Sequence, residues 1–312
     1  MTTAWLSHPS CLLHDMGAGH PECPDRLVAI EARIERDAAL AGCLRRETAP
    51  AVTREQIERA HDRRLIDALE RASPSSGLRQ IDPDTAMNPH TLEAIRHAAG
   101  AAVRATDLVA RGEVDNAFCA VRPPGHHAEH ARAMGFCLFN NVAIAALHAL
   151  EAHGFERVAV VDFDVHHGNG TEDIFRDDPR VMMVSTFQHP LYPYSGIDGR
   201  GERMVNVPLP SGADGRAFRA AVEQEWLPAL EAFGPQMLFI SAGFDAHRDD
   251  QLASLALVED DYDWVTGRLM GAADRLCAGR IVSVLEGGYS LPALSRSVLA
   301  HVRRLAGVAQ DA

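Results

Sequence analysis

Five short apolar runs, each leading at once into a polar cluster, constrain this chain more than any other feature. They span 117–121 (AFCAV), 158–161 (VAVV), 181–184 (VMMV), 237–240 (MLFI) and 281–285 (IVSVL). Their apolar residues are consecutive rather than alternating, as in strands buried on both faces of a parallel sheet. Stretches of helical spacing lie between them. Residues 25–40 place Leu27, Ile30 and Ile34 on one stripe, and 89–111 place Leu92, Ile95, Ala99, Val103 and Val109 on another. Residues 141–153 are rich in Ala and Leu and stop at Gly154; 217–233 and 259–278 complete the set. Strand and helix alternate, so the expected class is α/β with βαβ crossovers. The 312 residues are 46% apolar and show no repeat and no linker, which predicts one domain over 1–312.

The polar clusters at the ends of the runs carry the chemistry. They are RPPGHH (122–127), DFDVHHGNG (162–170), STFQHP (185–190), SAGFDAH (241–247) and EGGYS (286–290). Open parallel sheets bind ligands at the carboxyl ends of their strands, so these clusters should meet on one edge. Asp164 and His166 are two apart and face the same side. Asp245 is the best third partner, and an Asp/His/Asp set suits Zn²⁺ with one position left open. The blander possibility is that Asp162 and Asp164 cap a turn and the histidines are satisfied core groups. His126 and His127 come after a tight Pro-Pro-Gly turn; adjacent side chains diverge, which favours acid–base groups beside the metal over two ligands of one ion. Each needs an orienting partner, and Asp162 and Asn169 can supply one each. An Asp partner favours the imidazolium and an Asn partner does not, a split expected of an acid–base pair. Tyr289 comes after two glycines and can donate to a developing oxyanion. Together these parts describe metal-assisted hydrolysis. No Walker loop, GxGxxG or GxSxG is present.

Charge excludes other classes. The formal net charge is −13 and all thirty cations are arginine, so nothing here grips nucleic acid by its phosphates. No signal peptide and no membrane-length apolar segment is readable, and the six cysteines form no CxxC pair. The expectation is a cytoplasmic chain with reduced thiols and neither nucleic-acid nor membrane partners.

RPPGHH, GFCLFNN (135–141), VDFDVHHGNGT (161–171), SAGFDAH and LEGGY are similar, in order, to the motifs of the zinc-dependent histone deacetylase superfamily. The resemblance runs from His8 to Tyr289. It implies the three-layer α/β/α arginase/deacetylase fold with an eight-stranded, mostly parallel sheet. It implies one catalytic Zn²⁺ (or Fe²⁺ in the cell) on Asp164, His166 and Asp245. It implies His126 and His127 as the acid–base pair, supported by Asp162 and Asn169, and Tyr289 as the carbonyl-polarising donor. Gly135, Phe136 and Tyr192 match positions lining an acyl-lysine channel, and Arg26 an arginine near the acetate exit path. Structural K⁺ is implied at Asp162, Asp164, His166, Ser185 and Thr186, with a second site at Phe175, Asp178 and Val181. HPECPDRL (20–27) and the Asn169 of HHGNG resemble the class II branch. Relatives form dimers and tetramers, so a homo-oligomer is a further implication.

Substrate choice is read from departures. Polyamine-specific relatives carry a gatekeeper glutamate seven residues after the last zinc Asp; here that position is Leu252. The expected substrate is therefore acyl-lysine in a protein or peptide, with Asp84 holding the peptide backbone. The alternatives are an amidohydrolase of acetylpolyamines or other small acylated amines, for which Asp249 and Asp250 offer a negative rim, and a catalytically weak acyl-lysine binding module.

Overall fold

A computed structural model of the chain describes residues 1–197 and 203–309. The ten strands are β1 (Thr3–Ser7), β2 (Leu44–Thr48), β3 (Arg79–Gln80), β4 (Ala86–Met87), β5 (Asn116–Cys119), β6 (Val158–Asp162), β7 (Val181–Gln188), β8 (Met204–Leu209), β9 (Leu238–Ala242) and β10 (Ile281–Leu285). Eight of them form one sheet in the order β2-β1-β5-β10-β9-β6-β7-β8, and β3 and β4 pair separately. Every pair within the large sheet is parallel. Helices flank it, giving the α/β arginase/deacetylase fold.

The five apolar runs became β5, β6, β7, β9 and β10. All five are buried along their whole length. The three strands of this sheet not foreseen, β1, β2 and β8, lie toward its two edges, and the separate β3–β4 pair was not foreseen either. β2 reads LRRET and stays half-exposed, and β8 carries Pro208, so neither shows a continuous apolar run.

Helical spacing located most helices but not all their ends. The first runs only Asp25–Glu35, not to residue 40. Thr91–Ala110 and Glu259–Cys277 match their stripes. Asn141–His153 ends at Gly154, whose φ of 67° is left-handed. Residues 215–233 are helical in three pieces, with a π turn at Val222–Trp226 just ahead of Pro228, whose missing N–H interrupts the ladder. Helices Arg54–Glu58, Arg63–Ala72, Asn169–Phe175 and Leu291–Leu305 were not anticipated. No helix among the described residues is long and apolar enough to cross a membrane.

The register sets up the site. Asp162 at the end of β6 lies across from Ser185 of β7 and Ser241 of β9, and Leu285 of β10 across from Ala242 of β9. The segments leaving these ends therefore start side by side.

Candidate metal centre

The chain leaving β6 is folded back on its own carboxylates. Asp164 N–H donates to Asp162 Oδ1 at 3.0 Å, and His166 N–H donates to Asp164 Oδ1 at 2.9 Å. Asp245, from the loop after β9, accepts from Val165 N–H at 2.9 Å. Asp164 Oδ2 accepts from Gly287 N–H at 2.8 Å. This last approach needs glycine: a Cβ at 287 would lie 2.0 Å from Asp245 Oδ2 and 2.5 Å from Asp164 Oδ2.

Asp164, His166 and Asp245 thus converge, each offering a ligand atom within 4.8 Å of the others. His166 Nδ1 is 3.0 Å from Asp164 Oδ1 and 3.2 Å from Asp245 Oδ2. Asp245 Oδ2 is buried yet not aligned for any hydrogen bond. Against the cost of burial, Asp164 and Asp245 raise His166 to about 10; burial and the Asp164 charge push Asp245 up to about 6. Both shifts have one origin: two buried carboxylates competing for too little positive charge. A divalent cation fits that demand and the orphaned oxygen.

His126 and His127 stand beside this centre with ring centroids 4.0 Å apart. His126 Nδ1 is 3.0 Å from Asp162 Oδ2; His127 Nδ1 is 2.8 Å from Asn169 Oδ1. Burial opposes charge on both. At His126, Asp164 and Asp162 outweigh burial and raise the imidazole to about 10. At His127, burial is reinforced by His126 and His166, and the imidazole is held well below its ordinary range. Two adjacent histidines are thus pushed in opposite directions, His126 up and His127 down. Tyr289 is buried, and its N–H donates to Asp250 Oδ2 at 2.6 Å.

The histone deacetylase domain model matches residues 20–305. The chain belongs to the histone deacetylase family. Among its relatives is the histone deacetylase-like amidohydrolase of Pseudomonas aeruginosa, 38% identical over 97% of this chain and 80% of that protein. Another is the chloroplastic histone deacetylase 14 of Arabidopsis thaliana, 38% identical over 92% of this chain and 73% of the relative. The crystal structure of the HDA15 HD domain superposes with a TM-score of 0.91 at 36% identity, covering 99% of this chain and 89% of that one. The chain is a hydrolase of the histone deacetylase family, which is generally metal-dependent.

Of the other residues singled out from the sequence, Gly135, Phe136, Tyr192 and Arg26 lie against the histidines or Tyr289 of this histone deacetylase domain. Gly135 backs onto His127: a Cβ there would lie 2.5 Å from the ring. Phe136 holds φ 68°, left-handed and costly for an aromatic residue, and its ring packs edge-on 5.8 Å from Tyr289. Tyr192 packs edge-on to His127 at 5.2 Å and to His166 at 6.3 Å. Asp84 is half-buried, accepts from the Thr85 hydroxyl at 2.9 Å, and sits in the loop whose Thr85 Oγ1 accepts from Phe136 N–H at 2.9 Å. Arg26 is buried; it donates to the carbonyls of Gly288 at 2.7 Å and Glu286 at 2.5 Å and lies 4.9 Å from the centre of the Tyr289 ring. Leu252 is half-buried, its N–H donating to Asp250. Ser185 and Thr186 are buried beside Asp162, whereas Phe175, Asp178 and Val181 lie in two successive turns leading into the start of β7, with Asp178 N–H donating to the Phe175 carbonyl and Val181 N–H to that of Asp178.

The acidic rim is not formed as expected. Asp250 does not face the mouth. It is buried and accepts from the N–H groups of Leu252, Tyr289 and Ser290, so it caps the Tyr289 segment. Asp249 is exposed but paired with Arg296 at 3.3 Å.

Two participants were missed. Glu286 is buried behind the histidine pair, and its Oε2 accepts from Gly125 N–H at 2.6 Å and His126 N–H at 3.1 Å. A carboxylate flush with the end of a buried strand was the available signal. Arg122 is fully buried and pairs with Glu22, 100 residues away; no local pattern announces that contact.

Proposed function

We propose that the chain hydrolyses the amide of N-acyl-lysine, above all N-acetyl-lysine, in peptides or proteins, with one Zn²⁺ held by Asp164, His166 and Asp245. The observation that carries this reading is the placing of His127 on Asn169, His126 on Asp162 and a buried Tyr289 around one ligand set of two carboxylates and a histidine. Zinc bound there supplies Lewis acidity to the amide carbonyl and to a water. His127, uncharged in its buried setting, takes the proton of the attacking water. His126, pinned by Asp162, holds positive charge beside the reacting atoms and favours the anionic intermediate. Tyr289 donates its phenolic hydrogen to the oxyanion, and Arg26 holds the Gly288–Tyr289 backbone in place. Phe136 and Tyr192 form the aromatic walls along which the aliphatic part of the acyl-lysine lies. Asp84 accepts from the peptide backbone at the mouth. The residues matched to K⁺ sites hold structural cations under the strand ends.

Acyl-lysine is favoured over acetylpolyamine because, among the described residues, neither Asp249 nor Asp250, the carboxylates next to Leu252 in the chain, is free to receive a second ammonium. Asp250 is committed to the Tyr289 backbone and Asp249 to Arg296. The test compares kcat/KM for an acetyl-lysine peptide and for N-acetylputrescine on one preparation. The peptide is expected to win, and a large preference for the polyamine overturns the substrate assignment.

A further inference from the structure

We infer that Glu129 is a positioning residue that decides, through the amide of Asn169, which ring nitrogen of His127 carries the proton. The inference rests on His127 being the proton acceptor proposed above.

Asn169 opens the helix Asn169–Phe175, and its side chain lies between two groups from the loop after β5. Its Oδ1 is 2.8 Å from His127 Nδ1, and its Nδ2 is 2.8 Å from Glu129 Oε1. An asparagine amide turned end for end occupies the same space, so its neighbours choose the orientation. Glu129 makes that choice. A carboxylate only accepts, so the NH₂ end must face it. The oxygen end then faces His127, and because that oxygen also only accepts, His127 must donate from Nδ1. A neutral imidazole with Nδ1–H carries its lone pair on Nε2, the nitrogen free to receive a proton. Met134 Sδ, 3.4 Å from the same Nδ2, is too weak an acceptor to decide alone.

The backbone of Glu129 is held on both sides. Its N–H donates to the Arg132 carbonyl at 2.9 Å, and its own carbonyl lies 3.0 Å from His61 Nδ1. His126 needs no such relay, because its partner Asp162 is already a carboxylate. Asn169 thus keeps formal charge away from His127, and Glu129 restores the polarity that an amide alone leaves undefined.

The relay can be inverted on paper and then in the protein. In E129K the side chain only donates and draws Asn169 Oδ1 toward itself. The NH₂ end then faces His127 Nδ1, and the proton moves to Nε2, where the lone pair is needed. In N169D two carboxylates oppose each other. In E129K/N169D the lysine pairs with one carboxylate oxygen and the other again accepts from His127 Nδ1.

The experiment measures kcat, KM, metal content and melting temperature for the wild type, E129K, N169D and the double variant. E129K is expected to lower kcat about 10²-fold with KM changed less than about 3-fold, the usual scale for groups that orient an active-site histidine. Metal content should stay unchanged. The double variant should recover to within about 10-fold of wild type. Independently of turnover, ¹⁵N spectra of the imidazoles should place the His127 proton on Nδ1 in wild type and on Nε2 in E129K. A folded E129K with wild-type kcat, a double variant no better than E129K, or an unmoved tautomer overturns the inference. If E129K fails to fold, E129L takes its place, with kcat expected to drop about 3- to 10-fold because the amide then samples both orientations; an unchanged kcat overturns it. Should His127→Ala keep full turnover, the reading of His127 falls, while the tautomer measurement still judges the relay by itself.

Discussion

Among the described residues, three clusters bring ligand-type side chains within 4.8 Å, and two of them make an instructive pair. One is Asp164, His166 and Asp245 at the carboxyl ends of β6 and β9. The other is Asp107, His148 and His153, between the helices Thr91–Ala110 and Asn141–His153. By donor type the two are close to equivalent. They differ in whether their charge is already met. In the helix cluster, Asp107 Oδ1 accepts from His148 Nε2 at 3.1 Å and from His153 Nε2 at 2.7 Å. Arg111 stands 3.5 Å from the same oxygen, and Arg59 lies 3.4 Å from His148 Nδ1. One carboxylate is served by two imidazoles and a guanidinium. At the strand ends, two buried carboxylates share one histidine, and Asp245 Oδ2 is left over. Convergence is therefore common to both, and unmet negative charge belongs only to one.

The comparison breaks most sharply at Asp245. Asp245→Ala leaves two ligands where three stood, and a single imidazole with one carboxylate holds zinc poorly. Elemental analysis of the purified variant should find metal at background and turnover lost with it. Full occupancy would mean that the ion, if any, sits elsewhere, and the contrast between the clusters would lose its meaning.

Tyr289 sharpens the contrast by separating holding from reacting. Its ring lies beside Arg26 and Phe136 and contributes no ligand atom to the three-residue set. Tyr289→Phe should keep the metal and lower kcat by about 10²-fold, the scale of losing one oxyanion donor. Stopped assays paired with metal analysis check both halves, and unchanged kcat would remove Tyr289 from the chemistry.

The same contrast explains what the sequence could reveal. Buried central strands announce themselves because both faces need apolar residues, and the polar clusters at their carboxyl ends are the site; hence β5, β6, β7, β9 and β10 were readable with their functional ends. Edge strands such as β2 have one wet side and fade into the loops. Which partner orients which histidine was not readable, because Asp162 and Asn169 lie 36 and 42 residues from the rings they meet, at the two ends of a loop whose turns decide the pairing. Asp250 misled for a related reason. An acidic residue near a site looks like a rim until the backbone N–H groups it caps are known. Glu22 pairs locally with Arg26 four residues on, but its contact with Arg122 joins distant segments and is invisible to any local pattern.

The smallest expected effect is at Asp107, and it tests the other half of the comparison. Against the cost of burial, His148 and His153 pull its carboxyl down to about 2. A depressed carboxylate contributes stability that is present above its unfolded value near 4 and is lost as pH falls through the folded value. Asp107→Asn should therefore cost only about 1 kcal/mol at neutral pH, since the cluster is partly exposed and screened. The gap between variant and wild type, measured by denaturant unfolding, should close as pH drops from about 4 toward 2. Metal content and kcat should not change, because the helix cluster has its positive charge already. If Asp107→Asn instead lowered the metal content of the purified protein, satisfied hydrogen bonds would not distinguish a structural cluster from a metal site. The unmet charge at Asp164, His166 and Asp245 would then be a coincidence of burial rather than the mark of the ion.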